Sequence, residues 1–369
     1  MKPLRLMAGF YHEIIGNSIK NYNVSFIDDL TPLINLIKDE KTVFVCDKNL
    51  QQHFVELNNI PAERCYFIDA IEENKNIDSV LELYRFLLGF PFKRNLHLVS
   101  IGGGIIQDIS GFVASTLYRG IHWSFFPTTL LAQADSCVGS KTSLNFDHYK
   151  NILGSFYPPH QIFICGNFLA TLAEDDINSG IGEIVKFLML DDINTVSVDR
   201  IAQLAEELKH NKQYLPAIYQ SLAVKQSYIK QDEFDLGKRN LFNYGHCFGH
   251  ALEASSHYKV PHGIAVIIGM VFANTVSLLR GSISKEFYQH INQRLYFPYI
   301  SVNLLVSYFD QEALLLALKS DKKRIGDDLV MIMLNNEQFG AEKVTNLTVL
   351  EFERAHHYFL TQMQKFISK

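Results

Sequence analysis

The chain has 369 residues, which at roughly 100 to 200 residues per domain points to two domains and excludes a single small binding module. Hydrophobic residues at 47% and charged residues at 20% supply a large core and exclude disorder for most of the chain. With 34 Lys plus Arg against 39 Asp plus Glu the net charge is −5, which excludes generic attraction to nucleic acid or to an anionic membrane, so an anionic ligand must be held by a few placed cations. The N-terminal stretch MKPLRLMAGFYHEIIG interrupts its apolar residues with Arg5, His12 and Glu13 and lacks the apolar core of a signal peptide. Cys46, Cys65, Cys137, Cys165 and Cys247 are odd in number and form no CxxC pair, so a reducing, cytoplasmic setting is expected rather than a disulfide framework.

In chain order, short β-branched or aromatic runs come first: TVFVC at 42–46, CYFI at 65–68, LHLVSI at 96–101, IHWSFF at 121–126 and QIFIC at 161–165. Helical patterns separate the first four, which predicts a parallel sheet with covering helices in an N-terminal α/β domain, residues 1–174. From about Leu172 the pattern turns mostly helical, with apolar residues recurring at three and four through 201–232 and 241–255. A helical second domain, 175–369, is therefore expected. Its longest apolar run, Ile264 to Ala273, is too short to span a bilayer and reads as a buried helix. No linker separates the halves, and a cleft between them is the expected place for a site.

Three clusters carry candidate chemistry. Gly102, Gly103 and Gly104 follow LHLVSI and precede a helical stretch with Asp108. Glycines at a strand-to-helix turn let backbone amides approach a phosphate, although a tight structural turn would read the same way. Next, RGIHWSFFPTTLLAQADSCVGSKTSLNFDHYKN sets Arg119, Thr128, Thr129, Asp135, Lys141, Lys150 and Asn151 among apolar residues, as a polar cleft wall would. Third come Glu183 and Lys186 in GIGEIVKF, Asn243, His246 and His250 in NYGHCFGH, and His262 in PHG. His246 and His250, four apart, project from one face if helical. Two imidazoles and a carboxylate would leave one position open on a catalytic metal. Satisfied core histidines are the plainer alternative.

With these clusters in this order, the chain resembles the 3-dehydroquinate synthase family, the archetype of the sugar phosphate cyclases, from about Gly102 to Met270. The segments that carry the resemblance are IGGGIIQDISGFVAS, RGIHWSFFPTTLLAQADSCVGSKTSLN, YKNILGSFYPP, GEIVKF, RNLFNYGHCFGHALE and PHGIAVIIGM. The resemblance implies a Rossmann-like α/β domain binding NAD and a mostly α-helical domain binding zinc, cobalt or another divalent metal through Glu183, His246 and His262. It implies nucleotide contacts at Asp47, Asn49, Glu72, Lys75, Gly103, Gly104, Asp108, Thr128, Thr129, Lys150 and Phe168. For the substrate it implies Lys141, Asn151, His250 and one of Lys322 and Lys323 at the phosphate and neighbouring groups. Lys225 and Arg239 would then face a carboxylate, and Asp135, Lys186 and Asn243 the hydroxyls. Arg119 matches an arginine that reaches into the neighbouring site of a homodimer. The substrate so implied is a small sugar phosphate, with no nucleic acid and no membrane as partner.

The chain departs from the family pattern at Ser140 and Tyr149, where glycine is usual, at Ile264, where glutamate is usual, and in DEFD, where Asp235 closes the stretch with a shortened acid. The YPP at 157–159 leans towards cyclases of heptulose or hexose phosphates. Retained Lys225 and Arg239 lean towards a substrate with a carboxylate, such as 3-deoxy-arabino-heptulosonate 7-phosphate. The readings that follow are dehydroquinate formation, a secondary-metabolism cyclase acting on sedoheptulose 7-phosphate or glucose 6-phosphate, a non-catalytic NAD-binding relative, and an iron- or zinc-dependent polyol dehydrogenase, against which the NYGHCFGH and SKTSLN stretches favour the cyclases.

Overall fold

The computed structural model describes residues 11–15, the first of these stretches by its backbone alone, 21–147, 149–192, 196–319 and 328–368. Two compact units divide between Leu172 and Ala173. In the first, β1 (Tyr11–Ile15), β2 (Tyr22–Ile27), β3 (Thr42–Asp47), β4 (Cys65–Ile68), β5 (His97–Gly102) and β6 (His122–Pro127) are followed by a hairpin, β7 (Lys141–Phe146) and β8 (Tyr149–Phe156), and by β9 (Gln161–Cys165). The seven-stranded sheet runs β1-β2-β9-β6-β5-β3-β4. Every pairing in it is parallel except β1 with β2.

The central strands are apolar on both faces because helices cover both, so Val43, Phe44, Val45 and Cys46 of β3 are all fully buried. Helices α1 (Thr31–Lys38), α2 (Ile77–Leu88) and α3 (Gly104–Thr116) lie between these strands in the chain. The hairpin interrupts the expected pattern. Its β8 has no fully buried residue and alternates between half-buried and exposed from Asn151 to Ser155, unlike the strands of the covered sheet.

The second unit holds α4 (Glu174–Met189), α5 (Val198–Asn211), α6 (Tyr214–Gln231), α7 (His246–Ser255) and α8 (His262–Leu279), then shorter helices and a hairpin of Leu329–Leu334 with Ala341–Leu347. The apolar run sits in α8, which is buried continuously from Gly263 to Ser277. Among the described residues it is the one helix long and apolar enough to cross a membrane, and 83% of that window is inside the protein. A helix apolar all round belongs in an interior.

Two expected helical stretches are corrected. The pattern at 201–232 is two helices, because Lys212 adopts a left-handed backbone (φ 53°) between them. The stretch 241–255 is helical only from His246, since Gly245 sits at φ 80° and 238–243 is a tighter 3-10 turn.

Candidate active-site clusters

The glycine turn of the first unit is fixed by close packing. A Cβ on Gly102 would lie 2.5 Å from Ile106 Cγ1, and one on Gly103 would lie 3.0 Å from Thr129 Cγ2. Gly103 caps α3 with no side chain on its first amides, the arrangement that receives an anion at a helix N-terminus. Thr128 lies over the turn, its amide donating to Gly102 O at 2.9 Å.

A second group gathers around Lys75. Its Nζ is 2.7 Å from Asn151 Oδ1, 3.2 Å from Asp108 Oδ2 and 3.6 Å from Glu72 Oε1, and Lys150 Nζ is also 3.6 Å from that Glu72 oxygen. Burial pushes the Asp108 carboxyl up, opposed by Lys75 and by hydrogen bonds from Ser143. Two residues unnamed from the sequence complete the group. Ser143 Oγ lies 3.0 Å from Asp108 Oδ2 and 2.8 Å from Asn151 Oδ1, with one proton to donate to either acceptor. Asn145 donates to Glu72 Oε1 at 2.9 Å and accepts from the Asn151 amide at 3.0 Å. Their signal was strand alternation, since 143 and 145 share one face of β7.

Asn151, expected beside the substrate phosphate, thus sits with residues expected at the nucleotide, in a left-handed conformation (φ 54°). Lys141 is exposed at the other end of the hairpin, paired across from Phe156. Asp135 lies in a helical turn, Ala132–Ser136, and is half-buried. Arg119 is exposed at φ 65°.

Asp47 ends β3 and accepts the Asn49 amide at 3.0 Å, while burial holds its carboxyl above the usual range. Phe168 is fully buried in the apolar core, edge-on to Phe54 at 4.9 Å, so its side chain packs the fold and only its backbone remains for a ligand. Ser140 stands at φ 68°, which explains the glycine usual there.

In the second unit, α4, α7 and α8 are pressed together at glycines. A Cβ on Gly263 would lie 2.1 Å from Ser179 O, and one on Gly269 would lie 1.9 Å from Gly245 O. Backbone therefore meets backbone, and the first side chains of α7 and α8 converge with one from within α4. Donor atoms of Glu183 on α4, His246 on α7 and His262 on α8 all lie within 4.8 Å of one another. His246 Nε2 is 3.6 Å from Glu183 Oε1, and the His246 and His262 ring centres are 5.4 Å apart.

Glu183 is fully buried and forms a close ion pair with Lys186 one turn on. Neither carboxylate oxygen accepts a well-formed hydrogen bond. A buried carboxylate short of hydrogen bonds, facing two imidazoles, fits a divalent cation. Burial first, then Lys186, His262 and His250, hold the His246 ring well below its ordinary pKa, in the neutral form that ligates metal.

His250 stands one turn along α7, 5.6 Å between ring centres from His262. Lys186, Lys225 and Arg239 are all buried, with the Lys186 and Lys225 ammonium groups 4.7 Å and 5.9 Å from the Phe187 ring centre. Arg239 is placed by Asp232, whose carboxylate accepts the amides of Leu236, Gly237 and Arg239 at 2.9, 2.8 and 3.0 Å. Asn243 Nδ2 donates to Asn240 O at 2.8 Å. Ile264, the departure after PHG, is a fully buried core residue of α8. Lys322 and Lys323 lie outside the described residues.

Comparisons with known proteins place the chain in a family. A 3-dehydroquinate synthase N-terminal profile matches residues 65–179, and the corresponding C-terminal profile matches 180–324. A 3-dehydroquinate synthase of Pelagibacter ubique is 34% identical over 339 residues, 88% of this chain and 89% of the relative.

The fold is shared with a 2-deoxy-scyllo-inosose synthase complexed with carbaglucose-6-phosphate, NAD+ and Co2+, at TM-score 0.79 and 21% identity over 94% of this chain and 100% of that one. It is shared too with a 2-epi-5-epi-valiolone synthase of Streptomyces hygroscopicus with NAD+ and Zn2+ bound, at TM-score 0.76 and 23% identity over 92% and 97%.

Proposed function

Because the chain belongs to the 3-dehydroquinate synthase family, we propose that it is an NAD- and divalent-metal-dependent sugar phosphate cyclase acting on 3-deoxy-arabino-heptulosonate 7-phosphate. The proposed reaction oxidises a ring hydroxyl, eliminates phosphate, returns the hydride, opens the ring and closes a carbocycle by intramolecular aldol addition, with no net redox change. When bound, NAD supplies the hydride acceptor and donor, and the cation supplies a Lewis acid.

The observation that carries the reading is the convergence of Glu183, His246 and His262, in the unit that also buries Lys186, Lys225 and Arg239. Glu183 and the two imidazoles hold the cation. Lys225 and Arg239 receive the substrate carboxylate by charge-assisted hydrogen bonds, which are about twice as strong as neutral ones. Lys186 and Asn243 orient the hydroxyls, and His250 contacts the phosphate. In the first unit the glycine turn and the Lys75 group receive the nucleotide. Asp135, Lys141, Asn151 and one of Lys322 and Lys323 complete the substrate contacts, and Arg119 serves the neighbouring protomer of a homodimer.

The test is direct. The protein is incubated with NAD and zinc against the heptulosonate phosphate, sedoheptulose 7-phosphate and glucose 6-phosphate, with phosphate release followed and products identified by NMR. Release from the heptulosonate alone, with Arg239→Ala losing about 100-fold in kcat/KM while keeping NAD affinity, is the expected result, the factor corresponding to a charged hydrogen bond of about 3 kcal/mol. An unchanged rate in that variant rejects the carboxylate role. Release from one of the other sugars assigns the secondary-metabolism reading, and no release from any of them rejects cyclase activity.

A further inference from the structure

Glu253 is a buried carboxylate with no task in the reading above. It is 4% exposed and stands on α7 three residues beyond His250 and seven beyond His246, which puts all three on one face of the helix. Its Oε2 lies 3.3 Å from Nδ1 of His262, the first residue of α8. Burying a carboxylate is costly unless something answers its charge. The imidazole N–H does so here, and the positive N-terminal end of α8 adds to it.

His246 shows the same device with a different acceptor. Its Nδ1 is 3.3 Å from the carbonyl oxygen of Tyr244, and its Nε2 faces Glu183. A carbonyl oxygen can only accept, so the His246 proton sits on Nδ1 and the Nε2 lone pair points at the carboxylate. Tyr244 is itself anchored, since its hydroxyl donates to Asn274, whose amide donates to Asn292 at 3.0 Å in the buried interior. An ionised carboxylate likewise only accepts, so Glu253 selects the same tautomer in His262.

We infer that Glu253 is a positioning residue of the metal site: it holds the proton on Nδ1 of His262, fixes the ring and leaves Nε2 to face the cation. The inference rests on reading Glu183, His246 and His262 as metal ligands. A competing role exists, because donor atoms of His250, Glu253 and His262 also lie within 4.8 Å of one another and could take a second ion. That role requires His262 to bridge two cations as an imidazolate, having given up the proton that Glu253 now accepts. The geometry therefore favours one ion per chain.

The experiment uses the full chain, stripped with a chelator and reloaded. Zinc affinity is measured by chelator competition and the ligand set by the visible spectrum of the cobalt complex, for wild type, E253Q, E253A and E253D, with circular dichroism to confirm folding. The expected result is one ion per chain in wild type and affinity weaker by about 10- to 100-fold in E253Q and E253A, the usual effect of losing an outer partner of a ligating histidine. The cobalt spectrum keeps its shape, and E253D recovers part of the affinity. Should E253A fail to fold, E253Q, which keeps the size but replaces the charged acceptor with a neutral amide, carries the test.

Equal affinity in E253Q and wild type overturns the inference and leaves the metal site standing. Two ions in wild type falling to one in E253Q, or an altered cobalt spectrum, overturns it in favour of Glu253 as a ligand. No ion in wild type overturns the metal reading itself.

Discussion

The two units treat their buried charges differently. In the first, Lys75 is answered by Asp108, Asn151 and Glu72 from the protein itself, with Ser143 and Asn145 tying those partners together. In the second, Glu183 has a close Lys186 but no well-formed hydrogen bond, and two imidazoles converge on it. The first cluster answers its charges from within the protein, and the nucleotide proposed to bind there would exchange some of those bonds. The second is the one proposed to hold a cation. A group that satisfies itself stabilises the fold with or without ligand, whereas a group left short of partners stores its stabilisation for whatever binds.

The sharpest way to break that contrast is Glu183→Ala. Losing the ligand should abolish divalent-metal binding and lower phosphate release by about 1,000-fold or more, the equivalent of several kcal/mol of Lewis-acid stabilisation. In wild type, metal at about 100 times its Kd should add about 2.7 kcal/mol to stability, read as a rise in Tm, and the variant should show no such rise. A metal-dependent rise that survives in Glu183→Ala would show that the guest sits elsewhere.

A smaller effect should come from acid. His97, bonded to Ser124 Oγ at 2.9 Å, has its pKa lowered to about 4 by burial and by the neighbouring His122, against a weaker opposite pull from Asp39. Its neutral form is the one the fold accepts, so its contribution is present above the ordinary histidine value of about 6.5 and disappears as pH falls from there towards about 4. After allowing for partial exposure, about 2 kcal/mol should be lost over that window. His97→Gln should flatten this part of the pH profile in urea titrations, and an unchanged profile would remove His97 as the cause.

The smallest effect tests the self-satisfied cluster. Ser143→Ala removes the hydroxyl shared by Asp108 and Asn151, and should lower unfolding free energy by about 1 kcal/mol with or without metal. Stability unchanged in urea titrations would show that the cluster does not depend on its internal bonds.

Much of the first unit was legible because parallel strands covered on both faces spell continuous apolar runs. CYFI and QIFIC match β4 and β9 residue for residue, and the other three runs lie within one residue of β3, β5 and β6 at each end. The β7–β8 hairpin was read only as a polar wall, because polar and charged side chains stand where apolar residues would have marked the strands.

In the second unit, His246, His250 and His262 could be read as candidate ligands, the first two because helix geometry puts i and i+4 on one face. The breaks at Lys212 and Gly245 could not, because a left-handed residue interrupts a helix without disturbing its apolar periodicity. Glu253 escaped for a third reason. Its significance lies in a contact with another helix, not in its own neighbours along the chain.

The glycine contacts among α4, α7 and α8 bear on how such a protein can change over evolutionary time. With Gly263 against Ser179 O and Gly269 against Gly245 O, these helices cannot be moved apart by swapping one core side chain for a larger one without disrupting the junction. The spacing between the side chains they present is frozen in backbone. Lineages that share this junction can therefore diversify only in what projects from it and in the loops of the same unit, such as 232–239, and not in the placement of the helices.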